Sequence, residues 1–65
     1  MATDLYRKLT AILREHECEK VREGKRSHEI WRSNINGIST PVPVTIKSLH
    51  TCNAILKQMG LGHKM

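Results

Sequence analysis

The sequence predicts a small α+β domain: two helices over one face of a three-stranded antiparallel sheet, with the other face open. Three observations lead there. Apolar residues recur at helical spacing near each end, as Leu5, Leu9, Ile12 and Leu13, and again as Ile55, Leu56 and Met59. Between them, short runs with β-branched residues are separated by Gly24 and by Asn36-Gly37, the punctuation of hairpins. Finally, 65 residues leave room for one domain, 1–65, and one small core.

In chain order, Thr3 or Asp4 is placed to cap a helix running from about Asp4 to His16. Arg7, Lys8, Arg14 and Glu15 fall mostly off its apolar stripe, and Tyr6 sits on the flank. Cys18 to Glu23, with charges of alternating sign, reads as the first strand, Val21 facing inwards. Ser27 to Arg32 is the second. If Trp31 packs beneath the helices, strand alternation puts Glu29 on its side and leaves His28 and Ile30 on the open face.

Ser33 to Gly37 is a turn, because Asn and Gly tolerate positive φ. Ile38 to Ile46 is the third strand, with Val42, Val44 and Ile46 in alternation. Pro41 and Pro43 each remove a ladder donor, so this strand belongs at a sheet edge. Lys47 to His50 is a connection, Thr51 caps the second helix, and Gly60 ends it with Leu61 packing back. Gly62 to Met65 reads as a fraying tail. This element order is that of a double-stranded-RNA-binding-domain-like fold, and fold alone does not fix function.

Charge narrows the function classes. The net charge is +5, and the pI near 9.7 favours a polyanionic partner. All six acidic residues lie at or before Glu29, whereas the charges after it are Arg32, Lys47, Lys57 and Lys64. So small a chain has no room for a deep pocket, and its chemistry belongs on an open surface with a large substrate. Two cysteines do not make a disulfide scaffold, and no apolar run approaches a signal-peptide core or a membrane span. A cytoplasmic protein with reduced thiols is expected. His16-Glu17-Cys18 and His50-Thr51-Cys52 together offer two nitrogens and two sulfurs, but at tighter spacing than zinc sites use, so no metal is expected.

The densest chemistry lies in Gly24-Lys25-Arg26-Ser27-His28. Gly24 eases a tight turn. Lys25 and Arg26 bring positive charge and donors, Ser27 a hydroxyl, and His28 an imidazole able to move protons near neutrality. Chemistry on a phosphodiester needs such a shuttle among cations. An ordinary basic hairpin with an exposed histidine has the same composition.

Two segments resemble the HicA-type toxins, ribonucleases of bacterial toxin–antitoxin pairs. One is Gly24-Lys25-Arg26-Ser27-His28-Glu29-Ile30-Trp31, similar to the family's Gly/Lys-rich turn, Ser-His and aromatic. The other runs from Val42-Pro43 through Ile46-Lys47-Ser48 and His50-Thr51 to Asn53-Ala54-Ile55-Leu56-Lys57-Gln58-Met59-Gly60-Leu61, similar to the family's Val-Pro strand end and closing helix. The likeness spans about Leu5 to Leu61. It implies metal-independent, cofactor-free cleavage of mRNA, inhibition by a cognate HicB-type antitoxin, and a catalytic role for His28. Arg26 departs from the pattern where the family usually has Gly, Cys52 where Ala is common, and Leu49 where the residue is often basic.

RNA carries its own nucleophile, the ribose 2′-hydroxyl, so His28 as base or acid with Lys25, Arg26 and Ser27 as donors is a sufficient set. Lys47 is a further phosphate contact, and His50 is a candidate second proton carrier. The alternatives are a non-catalytic RNA-binding module of the same fold and a protein-interaction domain whose basic face meets an acidic partner.

Overall fold

The computed structural model describes residues 2–62 and 64–65. Its order is helix, three strands, helix: α1 Asp4–Glu15, β1 Glu19–Glu23, β2 His28–Arg32, β3 Ser39–Pro43 and α2 Leu49–Gln58. The sheet is antiparallel throughout with β2 in the middle. No helix among the described residues is long and apolar enough to cross a membrane.

Helix α1 starts where Thr3 Oγ1 accepts from the Tyr6 amide, and Asp4 places negative charge in the first turn. Thr3 also ties the entry of the chain to the far side of the fold. Its amide donates to Val44 O and its hydroxyl to Ile46 O at 2.6 Å. Leu9 and Leu13 are completely buried, while Leu5 and Ile12 flank the core. The helix ends with Glu17 in the left-handed region at φ 62°. The Cys18 amide reaches back to Leu13 O and the Glu17 amide to Arg14 O, the pair of bonds that closes a Schellman end. Helix α2 closes the same way with Gly60 at φ 82°. There Leu61 N donates to Leu56 O and Gly60 N to Lys57 O, and Leu61 is buried.

The turn after β2 secures that second end. Ser33, fully buried, donates its hydroxyl to Met59 O at 2.6 Å, and Asn36 donates to Gln58 O at 3.1 Å. Both satisfy carbonyls that a helix leaves open at its C-terminus. Gly60 is needed twice over. Besides its positive φ, a Cβ there would stand 3.0 Å from Asn36 Nδ2 and 3.2 Å from Ile35 Cγ2.

Trp31 from the central strand is the largest fully buried side chain and packs with Leu9, Leu13, Leu56, Met59 and Val42. Strand pairing sets Trp31 opposite Thr40, and Glu29 opposite Val42, so these four share the helix-covered face. Among the described residues Thr40 Oγ1, buried there, has no hydrogen-bond partner.

Four local expectations are corrected. Val21 is not inward but 44% exposed, because β1 carries a bulge: Lys20 pairs with Trp31 and Arg22 with Ile30, leaving Val21 as the extra residue. The third strand stops at Pro43 rather than Ile46, and a turn follows through Val44 and Thr45. The cap of α2 is Ser48, whose hydroxyl accepts from the Thr51 amide, so Leu49 and His50 belong to the first turn. Met65 does not fray: its amide donates to Asn53 Oδ1 at 2.8 Å and its side chain packs against the core. His63, within the expected tail, lies outside the described residues.

The two prolines do sit on an edge strand. Val44 N donates to Ser27 O, so every second residue of this segment turns its amide towards β2. Pro41 and Pro43 occupy the alternate positions, with their nitrogens facing away from the sheet.

Candidate functional site

The hairpin between β1 and β2 is closed by two backbone bonds, Gly24 N to His28 O at 2.9 Å and His28 N to Lys25 O at 3.1 Å. The sequence reading assigned the turn's conformational freedom to Gly24, but the left-handed residue is Arg26, at φ 57°. Gly24 answers to space instead. A Cβ at that position would lie 3.2 Å from Ile30 Cδ1 and 3.4 Å from His28 Cβ. The missing side chain is therefore on the same face as Ile30 and His28, and a Cβ there would crowd the base of the His28 side chain.

His28, Ile30 and Arg32 alternate with Glu29 and Trp31, which places His28 on the open face as the strand pattern required. His28 is half-buried, and its Nδ1 is 3.2 Å from the carbonyl oxygen of Lys25. A carbonyl only accepts, so in that bond Nδ1 bears the hydrogen, and a neutral ring then presents Nε2 as its lone-pair nitrogen. Lys25, Arg26 and Ser27 are all exposed around it on the same tip. Lys47 is exposed too and stands, as expected, on the connection between β3 and α2.

His50 is not brought to this tip by any shared wall. It lines a concavity of about 560 Å³ with Asn53, Lys57, Leu61 and Lys64, built from α2 and the residues after it and containing no hairpin residue. Among the described residues no three of His, Cys, Asp or Glu form a group able to hold a metal ion. Cys18 and Cys52 are buried free thiols, and burial pushes the Cys52 thiol up, which removes it as a nucleophile near neutrality.

Beneath the site lies a polar cluster that the sequence reading did not assemble. Glu29 Oε1 accepts from the Tyr6 hydroxyl and from Trp31 Nε1, while Lys20 Nζ stands 3.4 Å from the other carboxylate oxygen. Burial is the largest influence on Glu29 and opposes its charge. The hydrogen bonds from Tyr6, Trp31 and Lys20, with the Lys20 charge, outweigh it and hold the carboxyl below its ordinary value. Tyr6 is pushed up to about 12 by burial first, then by its bond to Glu29 and that residue's negative charge. Lys20 is raised, chiefly by its hydrogen bond to Glu23, with which it also forms an ion pair, and by Glu29. The cluster pins α1 to β2 directly behind His28. Its sequence signal was available: an acid two residues from the inward Trp31, facing a flank tyrosine on α1.

Fold and site together define a small α+β chain that presents an imidazole among cations on the uncovered side of its sheet. No family model matches the chain, and no curated protein or solved structure does so either.

Proposed function

We propose that this chain is a HicA-type ribonuclease toxin that cleaves mRNA without a metal, through His28, and is held inactive by a cognate HicB-type antitoxin. The observation that carries the reading is the contact of His28 Nδ1 with Lys25 O, which leaves Nε2 as the basic nitrogen on an open, cationic tip. The resemblance of the hairpin and of the α2 segment to that family supports it independently.

In the reaction, His28 Nε2 takes the proton of the ribose 2′-hydroxyl as that oxygen attacks the adjacent phosphorus. The bond from phosphorus to the 5′ oxygen breaks, the leaving oxygen takes up a proton from water, and the protonated His28 gives its own back to solvent. Lys25, Arg26 and the Ser27 hydroxyl stabilise the charge that grows on the phosphoryl oxygens, with Lys47 as a further phosphate contact. The products are a 2′,3′-cyclic phosphate and a 5′-hydroxyl. With one histidine at the tip, turnover is modest, since each missing acid or base commonly lowers a rate by about two orders of magnitude. The antitoxin acts by covering the open face around His28, its carboxylates meeting Lys25, Arg26 or Lys47, which speeds association more than it deepens affinity.

The test is incubation of the purified protein with a long RNA in EDTA, beside a folded His28→Ala variant. Cleavage by the wild type, lost in the variant, is expected. Equal cleavage by both removes His28 from the mechanism. A salt-sensitive complex with no cleavage identifies a non-catalytic RNA-binding module instead.

A further inference from the structure

The bulge at Val21 does more than displace a valine. Without it Lys20 and Arg22, two residues apart, would share one face of β1. With it Lys20 turns under the sheet to Glu29, while Arg22 comes opposite Ile30 on the uncovered face. Arg32 lies on that same face, two residues beyond Ile30 and four beyond His28. At the rise of a strand, Arg32 and His28 stand roughly 13 Å apart, with Arg22 beside the midpoint. Both arginines are exposed. Ile30 stands opposite Arg22, Pro41 and Pro43 extend the apolar surface onto β3 opposite Ile30 and His28, and Glu19 is the one acid on this face, directly opposite Arg32. The chain's two aromatic residues, Tyr6 and Trp31, are both on the covered side, committed to Glu29.

We infer that the open face is a track for the RNA backbone flanking the bond at His28, with Arg22 and Arg32 contacting neighbouring phosphates, and that it does not read bases. This rests on the ribonuclease reading above and names its substrate contacts. Charge complementarity selects a polyanion, and the spacing from His28 accommodates a strand already held at the tip. Recognition of unpaired bases leans on large platforms of Phe, Tyr or Trp, and the chain's one Tyr and one Trp are both turned away from this face. Contacts to phosphate alone position a strand without reading its sequence.

The experiment measures binding of 2′-O-methyl oligonucleotides, whose blocked 2′ oxygen prevents cleavage, across a salt series. Wild type is compared with the Arg22→Gln/Arg32→Gln double variant, with circular dichroism to confirm that both are folded. The slope of log affinity against log salt should fall by about 1.4 in the double variant, at about 0.7 per phosphate contact on a single strand. Wild type should bind oligo-A, oligo-C and oligo-U within about threefold of one another, because no Phe, Tyr or Trp platform faces the strand and stacking on His or Arg is tolerant of sequence. An unchanged slope overturns the track and leaves the face to an acidic protein partner. A tenfold preference for one base overturns its indifference to sequence. These results are separable from failure of the ribonuclease reading. Wild-type cleavage with an unchanged slope removes only the track, whereas a lowered slope with full activity in His28→Ala removes only the catalytic assignment.

Discussion

Replacing Tyr6 by Phe removes one donor from Glu29 and little else, since the ring is retained and only the hydroxyl is lost. The carboxylate keeps Trp31 Nε1 and Lys20, so it remains charged and partly satisfied. A hydrogen bond to a charged group is worth about 1.5–3 kcal/mol, and the remaining donors place the loss towards the lower end, near 2 kcal/mol at pH 7. The pH dependence sharpens the test. Because the folded Glu29 pKa is depressed, its stabilisation is present above the unfolded value and disappears as the pH falls through the folded value. The gap between wild type and Tyr6→Phe should therefore narrow in acid, where only a neutral hydrogen bond is left. Tyr6 has the opposite sign. Its raised pKa gives stability that is intact below 10 and is lost as the pH climbs towards about 12, so the gap narrows there as well. Urea unfolding followed by the fluorescence of the one tryptophan, Trp31, measures it at each pH. A difference under about 0.5 kcal/mol at pH 7, or one constant from neutral to acid, refutes the assigned network.

The two helix ends predict changes of opposite sign. Glu17→Gly should raise stability by about 1 kcal/mol, since glycine takes the left-handed cap without strain and the carbonyl that Asn34 reaches is backbone. Gly60→Ala should lower it by about 2 kcal/mol, through positive φ and the crowding of Asn36, and urea midpoints with unchanged slopes would report both. Thr40→Val replaces a buried hydroxyl that has no partner by a methyl, and thermal unfolding should show a gain of about 1 kcal/mol.

The order of elements, the inward Trp31, the outward His28 and the edge position of the prolines were legible in the sequence, because each follows from periodicity or from a missing donor. Val21 was not. A bulge is decided by how two strands come into register, and alternation within one strand carries no trace of it. The cap of α2 was misplaced by three residues because Ser48 and Thr51 are both good caps, and the sequence alone does not say which amide each hydroxyl meets. Arg26 shows how the rest was hidden. Glycine was the natural choice for a strained turn, yet the chain puts an arginine at positive φ and uses Gly24 for clearance beside His28. The Lys20–Glu29–Tyr6–Trp31 cluster was lost for a similar reason, since it joins α1, β1 and β2 and depends on the bulge to turn Lys20 inwards.

The margins of this sheet are shut. Along β3 two successive outward positions are proline nitrogens with no hydrogen to give, and along β1 the bulge interrupts the regular repeat of amides and carbonyls. A visiting peptide that tried to extend the sheet would lose donors on one side and register on the other. Self-association by strand exchange is discouraged for the same reason, which suits a protein that leaves one face of its sheet uncovered. On the ribonuclease reading proposed above, the broad side is then the way in for nucleic acid and for an inhibitor alike, and an inhibitor bound there would displace the RNA.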